Sequence, residues 1–98
     1  MGLTLIKFTD TESMPRFFLH IDDGTQRIED EEGSELLDLT AAREEARGAA
    51  RQLWASAILA GHDIEAHRFV ITDHDGRVLE TVDMDEVLPK RLAGQLGI

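Results

Sequence analysis

Cysteine is absent from all 98 residues, so no disulfide framework and no thiolate metal site can hold the fold, and no thiol nucleophile is available. A reducing compartment suits such a chain. Basic residues are scarce: ten Lys and Arg stand against twenty Asp and Glu, giving a net charge of -10. That field repels phosphate backbones and anionic lipid, which argues against nucleic-acid and membrane partners. Long apolar runs are missing as well. Leu3 to Ile6 is far shorter than a signal core or a membrane span, and the expectation is a cytoplasmic protein. There is no Gly-rich phosphate loop, no Gly-x-Ser-x-Gly elbow and no Ser/His/Asp arrangement at a recognisable turn. Nothing positive points to an enzyme, a cofactor or a catalytic residue.

What is present suits one small soluble domain, with 42% hydrophobic and 31% charged residues. Residues 1–13 read as an N-terminal extension that is loose or adds one short strand through Leu3, Leu5 and Phe8. A single domain follows over 14–98, and Met14 itself could be a translation start.

Arg16 to Asp22 sets Phe17, Leu19 and Ile21 against Phe18, His20 and Asp22, the period of two that marks a strand. Asp23-Gly24 signals a tight hairpin, with Thr25 to Glu29 returning as a weakly apolar edge strand whose main inward residue is Ile28. From Leu39 to Ala60 no proline interrupts a helical pattern; Asp38 or Thr40 stands ready as its N-cap and Gly61 as its left-handed C-cap. Leu39, Ala42, Ala46, Ala49, Ala50, Leu53, Ala57 and Ala60 fall on one stripe, small enough to lie flat on a sheet. His67 to Asp73 and Arg77 to Asp83 read as a second hairpin, turning at Asp73-His74-Asp75-Gly76. In it Phe69, Ile71, Val78 and Val82 lie opposite Val70, Leu79 and Thr81. A short helix over Asp85 to Leu96 closes the order, tolerating Pro89 near its start. The expected fold is α+β, ββαββ(α): a four-stranded antiparallel sheet with one long helix on one face.

Met14-Pro15-Arg16-Phe17-Phe18-Leu19-His20-Ile21, then Asp23-Gly24, Asp30-Glu31-Glu32-Gly33, Glu35-Leu36, Asp38-Leu39, Ala42-Arg43 and Ala46 form a spaced pattern. Phe69-Val70-Ile71-Thr72-Asp73 and Asp75-Gly76-Arg77-Val78-Leu79 continue it. The whole resembles a family of short bacterial domains that begin Met-Pro-Arg and an aromatic pair, over Met14 to about Val87. The resemblance implies strand, cap and turn positions, and no activity, cofactor or catalytic residue.

Histidines 20, 62, 67 and 74 lack the spacing of a strand or helix metal pair, and no cysteine can complete a mixed site. His20, in mid-strand beside Phe18 and within reach of His67 or Thr72, reads as a buried histidine satisfied by hydrogen bonds. Asp73 to Gly76 echoes a calcium loop but has Ile71 where an earlier ligand belongs, so it reads as a hairpin turn.

The more informative group is on the helix flank, where Arg43, Arg47 and Arg51 recur every four residues beside Trp54 and Ile58. Like charges at that spacing repel, so carboxylates should lie nearby, from Glu44, the acidic turn or a second copy of the chain. The plain reading is that arginine stems cover Trp54. The sharper one is a homodimer contact, since Trp and Arg favour interface centres. The second sheet face, with Phe18, His20, Val70, Leu79 and Thr81, is also too apolar for water and wants covering by the terminal helix or another subunit.

These features suggest a non-enzymatic interaction module that self-associates through Trp54, Ile58, the three arginines or Phe18 and His20. The alternative is an acidic antitoxin- or adaptor-like protein whose Asp22 to Asp38 segment, with eight acids against Arg27, docks on a basic partner. A metal- or histidine-dependent enzyme built on His20 is the third.

Overall fold

The computed structural model describes residues 14–95. Strand β1 (Arg16–Asp22) runs along the middle of a five-stranded antiparallel sheet. On one side it pairs with β4 (Arg68–Thr72), which pairs in turn with β5 (Val78–Asp83). On its other side two short strands share its length: β2 (Arg27–Ile28) beside Ile21 and Asp22, and β3 (Ser34–Glu35) beside Arg16 and Phe17. The sheet thus has one strand more than the sequence suggests, because Ser34 and Glu35, in the acidic turn, return to β1. Gly33 permits that return. Its φ is +70°, and a Cβ there would meet the Phe17 carbonyl oxygen and the Phe18 ring at 2.8 Å.

The returning strand β2 is also shorter than its apolar pattern suggests, and Ile28 is exposed rather than inward. Among the described residues too little stacks over this two-residue edge to bury it. The loop before it is Asp23 to Gln26, closed by the Asp23 carboxylate accepting the amides of Thr25 (2.9 Å) and Gln26 (2.8 Å).

Helix α1 (Leu39–Ala60) keeps the predicted bounds and both caps. Asp38 Oδ1 accepts the Ala41 amide at 2.9 Å, and Gly61, at φ +78°, donates to the Ala57 and Ile58 carbonyls. Thr40, the competing cap, lies inside the helix. Ala42, Ala46 and Ala50 are buried against Phe17, Phe69, Ile71, Val82 and Met84. Each large side chain so covered contributes about 1.5–3 kcal/mol, while the alanines contribute closeness of approach. Ala57 is buried too, whereas Ala60, at the helix end, is exposed.

A bulge in β5 changes which side chains face inward. Ile71 stands opposite Glu80 and Thr72 opposite Val78, so Leu79 is the extra residue. Leu79 therefore packs toward the core and Val78 is exposed, the reverse of simple alternation. After β5 a 3-10 turn (Met84–Val87) buries Met84, and helix α2 (Lys90–Gln95) follows. Pro89 divides what the sequence presents as one helix, because it forces Leu88 into extended backbone (ψ 147°). The predicted N-terminal strand lies outside the described residues.

Candidate functional site

Two regions hold the side chains singled out in the sequence. The first is the flank of α1. Arg43 grips Glu80 of β5 with both Nη2 (2.9 Å) and Nε, and Arg47 Nη1 donates to Glu86 Oε1 of the 3-10 turn at 2.8 Å. The hydrogen bond from Arg43 holds the Glu80 carboxyl below the ordinary glutamate range, and Glu80 raises Arg43 in return. The carboxylates paired directly with these two arginines therefore come from β5 and the 3-10 turn, not from the acidic turn, and Glu44 adds only a lesser coulombic attraction to Arg43. Glu86 is held in place partly by accepting the Asp83 amide at 3.1 Å.

Trp54 is tied down in the same way. Its indole N–H donates to the Met84 carbonyl at 2.9 Å and its ring packs against the core. Trp54 and Met84 form one wall of a groove of about 460 Å³, closed by Ile64, Ala66, Arg68 and Asp83. Across the 61–67 connection lies a second groove of about 560 Å³, lined by Leu53, Ala57, Ala60, Ile64 and Ala66. Ile58 joins neither. It is 63% exposed, and its neighbour Leu59, which sequence reasoning passed over, is 88% exposed. Leu59 falls opposite the alanine stripe, and that was its available signal. Arg51 is exposed and has no ion pair among the described residues.

The second region is the sheet face away from α1. Here His20 is buried, its ring parallel to Phe18 with centroids 6.2 Å apart. Nδ1 receives the Asp30 amide N–H at 3.0 Å, which requires a lone pair there. The ring proton therefore sits on Nε2, which donates to Thr72 Oγ1 at 3.0 Å. Thr72, not His67, is the partner. His67 instead lies against Gly24, where a Cβ would meet its ring at 2.6 Å. Glu29 Oε1 is 3.2 Å from Nδ1 and can accept from it only when Nδ1 carries a proton, an arrangement that breaks the Asp30 bond.

Asp30 organises this corner. Between the short strands β2 and β3 the outer edge of β1 lacks a strand partner, and the Asp30 carboxylate fills the gap: Oδ2 accepts the Leu19 amide and Oδ1 the Gly33 amide, both at 3.1 Å. Beyond His20, Arg68 bridges Asp22 and Asp83 across three strands (3.2 and 3.3 Å). Among the described residues no three His, Asp or Glu side chains gather to hold a metal, and no helix is long and apolar enough to cross a membrane.

The acidic segment is largely bound to its own chain. Asp22 accepts the Gly24 amide at 2.8 Å, which lowers its pKa; Asp23, Asp30 and Asp38 cap backbone amides; Glu35 pairs with Arg16 at 3.2 Å. Glu31 and Glu32 have no side-chain partner among the described residues.

Residues 16–85 match the family model described as a domain of unknown function, DUF6894. The chain belongs to that family. The match spans β1 through the start of the 3-10 turn, so the Asp30 corner, the Arg43–Glu80 pair and both capped ends of α1 lie inside the family domain, and Glu86, the partner of Arg47, follows its last matched residue. Comparison with curated proteins and with solved structures returned no match.

Proposed function

We propose that this domain is a small non-enzymatic interaction module that self-associates through the solvent side of α1. One observation carries the reading: Leu59 and Ile58 stand in water on a helix fixed at both ends, with Ala55 one turn before them. A single exposed leucine is ordinary, but adjacent aliphatic residues on a rigid, capped helix form a ready contact. The polar chemistry supports the same reading. Both ring nitrogens of His20 are engaged in hydrogen bonds within the sheet, and Arg43, Arg47 and Trp54 are engaged in holding β5 and the 3-10 turn to the helix.

Light scattering on the full chain at about 50 µM tests it, since a Kd of about 1 µM leaves most chains paired there. The wild type should run as a dimer and Leu59→Glu as a monomer. A monomeric wild type would sink the reading. Trp54→Glu is a poor probe, because it breaks the Met84 bond and the core contact together.

A further inference from the structure

The solvent side of α1 carries a pattern that fits one partner, a second copy of the same helix running antiparallel. Ala41, Gly48 and Ala55 recur every seven residues along the centre of the outer face, drifting by only about 20° per repeat. Glu44, Arg51 and Ile58 follow on one flank of that line, and Glu45, Gln52 and Leu59 on the other. All six flank residues are exposed.

Gly48 is the telling member. It stands mid-helix, where glycine costs about 1 kcal/mol against alanine, yet a Cβ there would meet nothing nearer than the Arg51 guanidinium at 3.8 Å. Nothing among the described residues requires the missing side chain. A helix crossing closely at that point would.

We propose that two chains pair through α1, antiparallel, about a two-fold axis passing beside Gly48; this rests on the self-association reading above and specifies its geometry. Such an axis, perpendicular to both helices, sets each flank against its own copy. Four residues before the axis on one flank is Glu44, and three after it is Arg51. Each Glu44 therefore meets Arg51 of the second copy, twice per dimer. On the other flank Glu45 meets Gln52. Gly48 faces Gly48, Ala41 faces Ala55, and the ends bring Ile58, 63% exposed, toward Leu37, which is 64% exposed just before the N-cap. Charge complementarity singles out a second copy. Arg43 and Arg47 are neutralised within the chain, which leaves Arg51 as the α1 arginine without a carboxylate among the described residues, and Glu44 is placed to supply one from the other chain.

The test is charge reversal in the full chain, read by sedimentation equilibrium with helicity as the folding check. Glu44→Arg and Arg51→Glu should each weaken the dimer about tenfold or more, because each turns two attractive pairs into two repulsive ones. The double variant should return to within about threefold of wild type, and an equimolar mixture of the two single variants should recover a dimer. Gly48→Ala should raise the melting temperature of the monomer while weakening the dimer. A wild-type dimer indifferent to both reversals overturns the helix pairing and leaves self-association standing. A wild-type monomer overturns both.

Discussion

Replacing Asp30 by alanine removes two acceptors at once and leaves the Leu19 amide facing the gap between β2 and β3 with no partner. A hydrogen bond to a charged group is worth about 1.5–3 kcal/mol, and a stranded buried donor costs about as much. Both bonds are only part-buried, so water can rescue some of the loss, more readily at Gly33 in the loop than at Leu19 in the strand. The expected destabilisation is about 2–4 kcal/mol, a large share of the roughly 5–15 kcal/mol that holds a small domain. At this chain length each kcal/mol shifts the midpoint by about 4–8 °C, so Tm should fall by about 10–25 °C. Urea unfolding followed by Trp54 fluorescence measures it, because this lone tryptophan leaves the core when the chain opens. Asp30→Asn keeps one acceptor and should cost about half as much, and Glu31→Ala, next door and exposed, should stay within about 0.5 kcal/mol. If Asp30→Ala also stayed within that margin, the carboxylate would not be completing the edge of β1, and the reasoning would fail.

Acid should loosen the loops first. Asp23, whose acceptance of the Thr25 and Gln26 amides pushes its pKa down to about 2, stabilises the fold while ionised. That contribution is present above the ordinary aspartate pKa of about 4 and is lost as pH falls toward about 2, so Asp23→Asn should flatten the stability profile in that window. Gly33→Ala should be far worse than Gly61→Ala in thermal melts. Both have positive φ, costing about 1 kcal/mol, but a Cβ at Gly61 enters open space while one at Gly33 strikes the Phe17 backbone. Nitrogen-15 spectra of His20 should report the Nε2–H tautomer, and a proton resident on Nδ1 of the neutral ring would contradict the Asp30 bond.

Helix α1 was readable to the residue because its signals are local: an Asp cap, a Gly stop and alanines at helical spacing with no competing tendency. The hairpins were readable at their apolar strands and misread where a non-local contact decides. Ile28 looks inward by alternation, yet only a neighbour stacked above it could bury it, and β2 is too short to have one. Ser34 and Glu35 carry no strand propensity; they pair with β1 because Gly33 turns them onto it and Asp30 anchors the loop. Leu79 and Val78 exchange places through a bulge that no periodicity reveals.

The arginine row shows the same division at the candidate site. Arg43, Arg47 and Arg51 are equivalent in the sequence, each one helical turn from the next, and repulsion among them requires carboxylates without saying whose. Their fates are set by where the later part of the chain lies: β5 passes Arg43 at Glu80, the 3-10 turn reaches Arg47, and nothing described extends to Arg51. The sheet positions Glu80 and the capping bond to Asp83 positions Glu86, so two arginines become fasteners between helix and sheet. The third is distinguished only by what the fold leaves undone. It projects from the solvent side of a helix whose inner face is already filled, beside a glycine that no contact among the described residues requires. The surface proposed for self-association is therefore the residual, the part of α1 that the contacts among the described residues do not use.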